Sequence, residues 1–135
     1  MTSGRRQPAQ ALLLDLDGVL WVDGAAQSEL LELVQEVRGR GLKVALAVDE
    51  ASTLDENPSL VDELDAVVTS ATAGRHRPTR EFFTAACLAV RTPPARCLYV
   101  DDDDRNVSAA RVAGLSAYRW NGPSDLPYLR AALSS

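Results

Sequence analysis

Two aspartates, Asp15 and Asp17, close an apolar run near the start of the chain, within the segment LLLDLDGVLW at residues 12–21. Residues i and i+2 of an extended strand point to the same side, so both carboxylates can face one site. A second apolar run ends in the acidic residues 101–104. Carboxylates this close repel one another unless some are protonated or a hard cation neutralises them, and Mg²⁺ suits an all-oxygen site. The pattern therefore favours a magnesium site.

The acidic run 101–104 also has a simpler interpretation. Aspartates are favoured at a helix N-terminus, where they cap the helix and complement its dipole. We prefer that interpretation for Asp103 and Asp104. Asp102 closes an apolar strand, so we expect it at the metal site. For Asp15 and Asp17 the alternative is an ordinary strand-end turn, which the second acidic strand end makes less attractive.

Apolar runs alternate with helical patterns along the chain, which predicts an α/β domain. Ser28 is a plausible N-cap of the first long helix, and the C-terminal tail indicates at most a last helical turn. Strands that alternate with helices form a parallel sheet covered on both faces. In such sheets ligands bind beyond the carboxyl ends of the strands, where these aspartates lie. The predicted strands are ALLLDLD, LKVALAV, DAVVTS, RCLYVDD and LSAYRW.

Length and charge restrict the class of protein. A chain of 135 residues suits one domain, which we place at 11–135 after a flexible N-terminal arm at 1–10. The formal net charge of -5 and the lack of a basic stripe argue against nucleic-acid binding. No apolar run is long enough to span a bilayer, and the arm does not resemble a signal peptide. We therefore expect a cytoplasmic protein with no membrane partner.

Three segments resemble motifs of the haloacid dehalogenase (HAD) superfamily. DLDGVLW resembles its first motif, RPTREFF its third, and YVDDDDRNVSAARVAGLSAY its fourth. The order and spacing of these segments cover nearly the whole chain. The resemblance implies a three-layer α/β/α sandwich around a Rossmann-like parallel sheet of about five strands, in the spatial order 3-2-1-4-5.

The resemblance also implies roles for individual residues. Asp15 matches the nucleophile that becomes an aspartyl phosphate, and Asp17 matches the general acid and base. The cofactor is Mg²⁺, held by Asp15, the backbone carbonyl of Asp17 and Asp102, with Asn106 in support. Arg77 stands where the family has a catalytic lysine. The implied activity is Mg²⁺-dependent hydrolysis of a phosphate monoester.

The second motif departs from the family pattern. The family places a Ser or Thr at the end of the second strand to hold a phosphoryl oxygen, whereas this chain has Val48 followed by Asp49. Valine cannot donate a hydrogen bond, and Asp49 would repel phosphate unless it is protonated or held by a partner. Ser52 and Thr53 are the nearby hydroxyls that could substitute.

The third motif departs as well, because arginine and lysine are not interchangeable at a packed site. Arg77 keeps the charge of the family lysine, and Arg75 competes for the same role.

The entrance to the site lacks room for a cap domain, since residues 18–43 and 69–77 are too short to hold one. We expect Gly18, Trp21 and Asp49 near the substrate. Trp21 either covers the entrance as a small flap or packs against the first helix. A capless entrance suits a phosphorylated small molecule or a phosphoprotein, or a homo-oligomer whose second subunit completes the site.

Two other functions compete with hydrolysis. The altered second and third motifs favour a catalytically impaired HAD-fold protein that acts by binding a partner, whereas the retained aspartates favour an enzyme. Phosphotransfer to an acceptor other than water uses the same residues as hydrolysis, so the sequence does not separate the two.

Overall fold

A computed structural model of the chain describes residues 8–133. Its centre is a five-stranded parallel sheet in which the strand that directly precedes Asp15 is the middle one. The main strands are β1 (Ala11–Leu14), β4 (Lys43–Ala47), β5 (Ala66–Val68), β6 (Cys97–Asp101) and β7 (Ser116–Arg119). Their spatial order β5-β4-β1-β6-β7 confirms the predicted order 3-2-1-4-5.

Helices cover both faces of the sheet and complete the predicted three layers. None of the helices in residues 8–133 is both long and apolar enough to cross a membrane. The C-terminal tail forms a full helix, not a single turn, and that helix packs beside the first one. The helices are α1 (Ser28–Gly39), α2 (Ser52–Glu56), α3 (Ser70–Ala73), α4 (Arg80–Ala89), α5 (Asp104–Val112) and α6 (Leu126–Leu133), with short 3₁₀ turns at Pro58–Glu63, Pro94–Arg96 and Pro123–Asp125.

The middle strand is apolar throughout because both of its faces are buried. Leu12 and Leu14 pack into a cluster that includes residues of α1 and α6, and Leu13 packs into a second cluster that includes residues of α4 and α5. All three leucines are fully buried. Burying one such side chain contributes about 1.5–3 kcal/mol, so the strand is held firmly between the two layers.

The strand register brings the ends of β1 and β6 to the same level. Leu14 pairs with Val100, and the backbone N–H of Asp15 donates to the carbonyl oxygen of Val100 at 2.9 Å. The next residues, Asp15 and Asp101, are therefore neighbours at the carboxyl edge of the sheet. This register places two acidic strand ends side by side, as the sequence predicts.

A small hairpin follows the first strand, formed by β2 (Trp21–Val22) and β3 (Ala25–Ala26). Its two central residues, Asp23 and Gly24, both have positive φ, which is the backbone of the tight turns preferred in two-residue hairpins. Within residues 8–133, this hairpin is the structure between β1 and α1, so the described segment holds no cap domain there.

Two residues of the predicted N-terminal arm, Ala9 and Gln10, make backbone hydrogen bonds to the domain. Residues 1–7 of the predicted arm lie outside the described residues. The backbone N–H of Ala9 donates to the carbonyl of Ala132 at 2.9 Å, and that of Gln10 donates to the carbonyl of Arg96 at 2.7 Å. These bonds place Ala9 and Gln10 in the folded domain.

Candidate active site at the carboxyl edge of the sheet

Three carboxylates converge where β1 and β6 end. Asp15, Asp101 and Asp102 each offer an oxygen atom, and these atoms all lie within 4.8 Å of one another. Asp15 and Asp101 are buried, whereas Asp102 is exposed. The structure thus brings together the predicted residues Asp15 and Asp102. Oxygen ligands at this spacing have the chemistry of a site for a hard divalent cation.

The charges of this group favour a cation. Burial, together with the charge of Asp101, raises the pKa of Asp15 to about 7 in the metal-free protein, although Arg77 opposes the shift. Burial and a hydrogen bond with Asp101 also raise the pKa of Asp102. A bound cation reverses this effect because it stabilises the ionised carboxylates. The chemistry of these three carboxylates therefore fits a bound divalent cation.

Gly18 allows Asp102 to approach the end of the first strand. Its φ of +91° is strained for any other residue, and a Cβ atom added to it would lie 2.4 Å from Oδ2 of Asp102. The Asp102 carboxylate therefore rests against the Gly18 backbone. The sequence predicts Gly18 near the substrate, and in the structure Gly18 borders the group formed by Asp15, Asp101 and Asp102.

Gly18→Ala is expected to weaken Mg²⁺ binding, because the new methyl group pushes the Asp102 carboxylate away from Asp15. The left-handed backbone adds about 1–2 kcal/mol of strain. Gly24→Ala is the matched control, since Gly24 also has positive φ but has nothing within 4 Å of an added Cβ. The measurement is the Mg²⁺ dependence of the melting temperature. Equal Mg²⁺ dependence in both variants would show that the contact with Asp102 is unimportant.

Arg77 is the cation that the fold itself supplies to this site. Its Nη1 donates to Oδ1 of Asp15 at 3.0 Å, to Oδ2 of Asp101 at 2.9 Å and to the Tyr99 hydroxyl at 3.0 Å. Its side chain is only 10% exposed. Burial disfavours its charge, but the surrounding oxygens of Tyr99 and Asp15 outweigh that effect and raise the pKa of Arg77, which stays charged. Arg75 is exposed, so Arg77 is the arginine that fills the site.

Asp101 belongs to the acidic run that the sequence predicts at this edge of the sheet, although the sequence assigns it no individual role. Its carboxylate accepts hydrogen bonds from Arg77, from the Tyr99 hydroxyl, from Nδ2 of Asn106 at 2.9 Å and from the backbone N–H of Asp103 at 3.0 Å. These donors satisfy the oxygens of a fully buried carboxylate. The signal in the sequence is the place of Asp101 at the end of an apolar run, one residue before Asp102. Asn106 thus contacts Asp101, and its support of a metal stays a prediction.

The two residues of the altered second motif have different surroundings in the structure. Val48 is buried in the apolar cluster that contains Leu12, so it offers the site no polar group. Oδ1 of Asp49 accepts hydrogen bonds from the Ser70 hydroxyl at 2.9 Å and from the backbone N–H of Arg77 at 3.2 Å. Burial opposes its ionisation, but the Ser70 hydrogen bond and the charge of Arg77 outweigh it and lower the pKa of Asp49. Asp49 is therefore an anion held by partners.

Asp17 lies beyond the strand end and is exposed to solvent. The Thr53 hydroxyl donates to its Oδ1 at 3.3 Å, so Thr53 is the loop hydroxyl that reaches the predicted acid. In the part of the chain that the structure describes, no backbone N–H donates to the Asp17 carbonyl, which remains available to a metal. Trp21 is half-buried against the Leu12 cluster, which favours its packing role over a flap.

A model of a known protein family matches the larger part of the chain. The model of the haloacid dehalogenase-like hydrolases matches residues 26–114, which is more than half of the chain. The chain belongs to the haloacid dehalogenase-like hydrolase family. The matched range contains the second and third HAD motifs and the fourth motif as far as Gly114, whereas Asp15 and Asp17 precede it.

Two curated HAD relatives carry phosphatase names. Validoxylamine A 7'-phosphate phosphatase of Streptomyces hygroscopicus subsp. limoneus is 29% identical over 108 residues, which is 79% of this chain and 50% of the relative. Phosphatase MT3486 of Mycobacterium tuberculosis (strain CDC 1551 / Oshkosh) is 29% identical over 132 residues, which is 83% of this chain and 61% of the relative. The chain thus spans between about half and three fifths of these relatives.

Solved structures show the same HAD fold. An uncharacterized protein from Corynebacterium glutamicum superposes with a TM-score of 0.82 at 24% identity, covering 92% of this chain and 94% of that one. A HAD family enzyme from Bacteroides thetaiotaomicron, crystallised with magnesium and inorganic phosphate, has a TM-score of 0.73 at 16% identity, covering 90% and 98%. These likenesses establish the fold of the described chain.

Proposed function

We propose that the chain is a Mg²⁺-dependent phosphohydrolase that cleaves a phosphate monoester through an aspartyl phosphate on Asp15. The observation that carries this proposal is the placement of Asp15, a buried strand-end carboxylate that contacts Arg77 and lies beside Asp101 and Asp102. The phosphatase names of two relatives support it.

The chain's own residues supply each step. A carboxylate oxygen of Asp15 attacks phosphorus, and the bond from phosphorus to the ester oxygen breaks. Asp17 gives its proton to the departing oxygen, which leaves as an alcohol. Water then attacks the phosphorus of the aspartyl phosphate while Asp17 takes a proton from it, which releases inorganic phosphate and restores Asp15. The exposure of Asp17 suits a group that exchanges protons with water.

Asp15, Asp102 and the backbone carbonyl of Asp17 are the residues that would hold Mg²⁺. When bound, Mg²⁺ reduces the repulsion between an anionic nucleophile and an anionic phosphate and stabilises charge in the transition state. Arg77 and Asp101 flank this set. Arg77 forms an ion pair with the Asp15 carboxylate, and the Asp101 carboxylate lies beside it.

The substrate that we propose is a phosphorylated small molecule or a phosphoprotein. In the described residues the hairpin at residues 21–26 is the structure inserted next to the first motif, and no cap domain is present there. An entrance without a cap accepts a bulky leaving group.

The second candidate is a HAD-fold protein that binds a partner without turnover, and the buried Val48 favours it. A screen of many phosphate monoesters with and without Mg²⁺ separates the two functions. We expect turnover that requires Mg²⁺ and stops when the metal is chelated. Absence of turnover on every ester, together with intact Mg²⁺ binding, would favour the partner-binding function.

Mg²⁺ should stabilise the protein more at about pH 8 than at about pH 5.5. Folding raises the pKa of Asp15 from 3.8 to about 7, with Asp101 and Arg77 as its charged neighbours. A raised carboxyl pKa stabilises the metal-free fold at low pH, and this contribution is lost as the pH rises toward 7. Mg²⁺ binds the ionised form and offsets the loss. Melting curves at both pH values check this expectation.

The control for the pH experiment is Asp102→Asn, which removes one carboxylate of the group and should reduce the Mg²⁺ effect at both pH values. A Mg²⁺-induced shift in melting temperature that is independent of pH, or that survives in Asp102→Asn, would contradict a metal site at these carboxylates.

A further inference from the structure

The two departures from the family motifs contact each other. Nη2 of Arg77 donates to Oδ2 of Asp49 at 3.2 Å, and the backbone N–H of Arg77 donates to Oδ1 of Asp49 at 3.2 Å. The family pattern has a neutral residue and a lysine at these two places. A lysine ammonium carries its three N–H donors on one nitrogen, so it lacks the two terminal nitrogens in a fixed plane with which arginine contacts Asp49 and Asp15.

The guanidinium of Arg77 divides its two terminal nitrogens between two sides of the site. Nη2 contacts Asp49, while Nη1 contacts Asp15 and Asp101. Because the guanidinium is planar and rigid, fixing Nη2 also fixes the direction of Nη1. The contact with Asp49 thus constrains the direction of Nη1 from the opposite side of the guanidinium.

Asp49 is itself held in place from the far side. The Ser70 hydroxyl donates to its Oδ1 at 2.9 Å, and the Ser70 backbone N–H donates to its carbonyl oxygen at 3.2 Å. Ser70 begins the short helix after β5, so the anchor belongs to a different strand end from Asp15. The chain of contacts runs from Ser70 through Asp49 and Arg77 to Asp15.

The fold does not satisfy every donor of Arg77. Its Nε is buried and, among the described residues, has no hydrogen-bond partner. A buried donor without a partner destabilises a fold, and buried polar groups of this kind often mark functional sites. The arrangement therefore indicates a functional reason for holding Arg77 at this point.

We propose that Asp49 is a positioning residue that directs Nη1 of Arg77 at Asp15, so that the Asp49–Arg77 pair replaces the hydroxyl and lysine of the family's second and third motifs. The catalytic consequence rests on the proposed hydrolase function, whereas the pairing itself belongs to the fold. Asp49 then assists turnover, although its charge alone would repel a phosphate.

The kinetic test compares Asp49→Ala with Glu50→Ala. Glu50 is the matched control, an exposed carboxylate next in sequence whose Oε2 accepts a hydrogen bond from the Ser52 N–H at 2.8 Å. Asp49→Ala should lower kcat by about 10–100-fold with a smaller change in KM, because Arg77 acts on the reacting group. Asp49→Asn, which keeps one acceptor oxygen, should recover part of the loss, and Glu50→Ala should resemble the wild type.

A double-mutant cycle with Arg77→Lys shows whether Asp49 acts through Arg77. In the lysine background, Asp49→Ala should cause little further loss of kcat, since the Nη2 group that Asp49 holds is already gone. A gain in kcat/KM for Asp49→Ala, or an equal loss in both backgrounds, would overturn the proposal.

A second cycle does not require turnover. Urea unfolding of the wild type, Asp49→Ala, Arg77→Lys and the double variant, all without ligands, should show non-additive midpoints. In a separate measurement, inorganic phosphate with Mg²⁺ should raise the melting temperature less in Asp49→Ala than in Glu50→Ala. Additive midpoints, or equal phosphate shifts, would refute the positioning role. Non-additive midpoints in a protein that hydrolyses no ester would refute the hydrolase function and leave the pair intact.

Discussion

Asp15→Asn should lower kcat on any phosphate monoester by on the order of 10⁴-fold or more, which is the scale seen when a nucleophile is removed. An amide oxygen is a poor nucleophile and cannot form the acyl phosphate that the proposed reaction requires. The measurement is kcat at saturating substrate and Mg²⁺. Asp23→Asn is the matched control, because Asp23 lies exposed at the tip of the hairpin with positive φ, a conformation that asparagine tolerates.

Loss of folding can be separated from loss of chemistry in this variant. Asp15 and Asp101 repel each other in the metal-free protein, and this repulsion contributes to the raised pKa of Asp15. Asp15→Asn removes that repulsion, so its melting temperature without Mg²⁺ should be no lower than that of the wild type. Residual activity near the wild-type level in a folded Asp15→Asn variant would exclude Asp15 as the nucleophile.

The sheet and its central acidic strand end were predictable from the sequence because both follow from burial. A strand buried on both faces is a continuous apolar run, and β1 is such a run, directly followed by Asp15. Alternation of strands and helices then fixes parallel crossovers. The strand order was implied by the resemblance to the HAD family, and the structure confirms it.

Local capping was harder to predict because several polar residues compete for one role. Ser28 was the predicted N-cap of α1, but the structure shows that Gln27 fills that position, with its side chain accepting from the N–H groups of Glu29 and Leu30. Ser28 is the first residue of the helix instead. Helix boundaries commonly shift by one residue when neighbouring side chains can each accept from the first turn.

The contacts of the site were not predictable, since they join residues far apart in the chain. Asp49 meets Ser70 and Arg77 only after β5 is paired with β4. Asp101 is one of four consecutive aspartates, and only the register of β6 against β1 sets it level with Asp15. Sequence spacing gives the residue types at a strand end, whereas the direction of each carboxylate depends on tertiary hydrogen bonds.

Asp17→Asn should lower kcat by about 10²–10⁴-fold, the usual scale of general acid–base catalysis. In the proposed reaction Asp17 acts twice, first as the acid for the departing alcohol and then as the base for water. The effect of removing the Asp17 carboxylate on the rate should therefore depend on the substrate. An aryl phosphate with an acidic phenol needs little help to leave, whereas an alkyl phosphate depends on the proton from Asp17.

The expected signature of Asp17→Asn is thus a difference between two kinetic constants. For the aryl phosphate kcat/KM, which reports the attack of Asp15, should be close to the wild-type value, while kcat falls because hydrolysis of the aspartyl phosphate still lacks its base. For the alkyl phosphate both constants should fall. Thr53→Val, which removes the hydroxyl that donates to Asp17 at 3.3 Å, is the milder companion and should shift the same constants in the same direction. If Asp17→Asn lowers kcat/KM equally for both esters, Asp17 is not the acid, and its carboxylate contributes to a step that the two esters share.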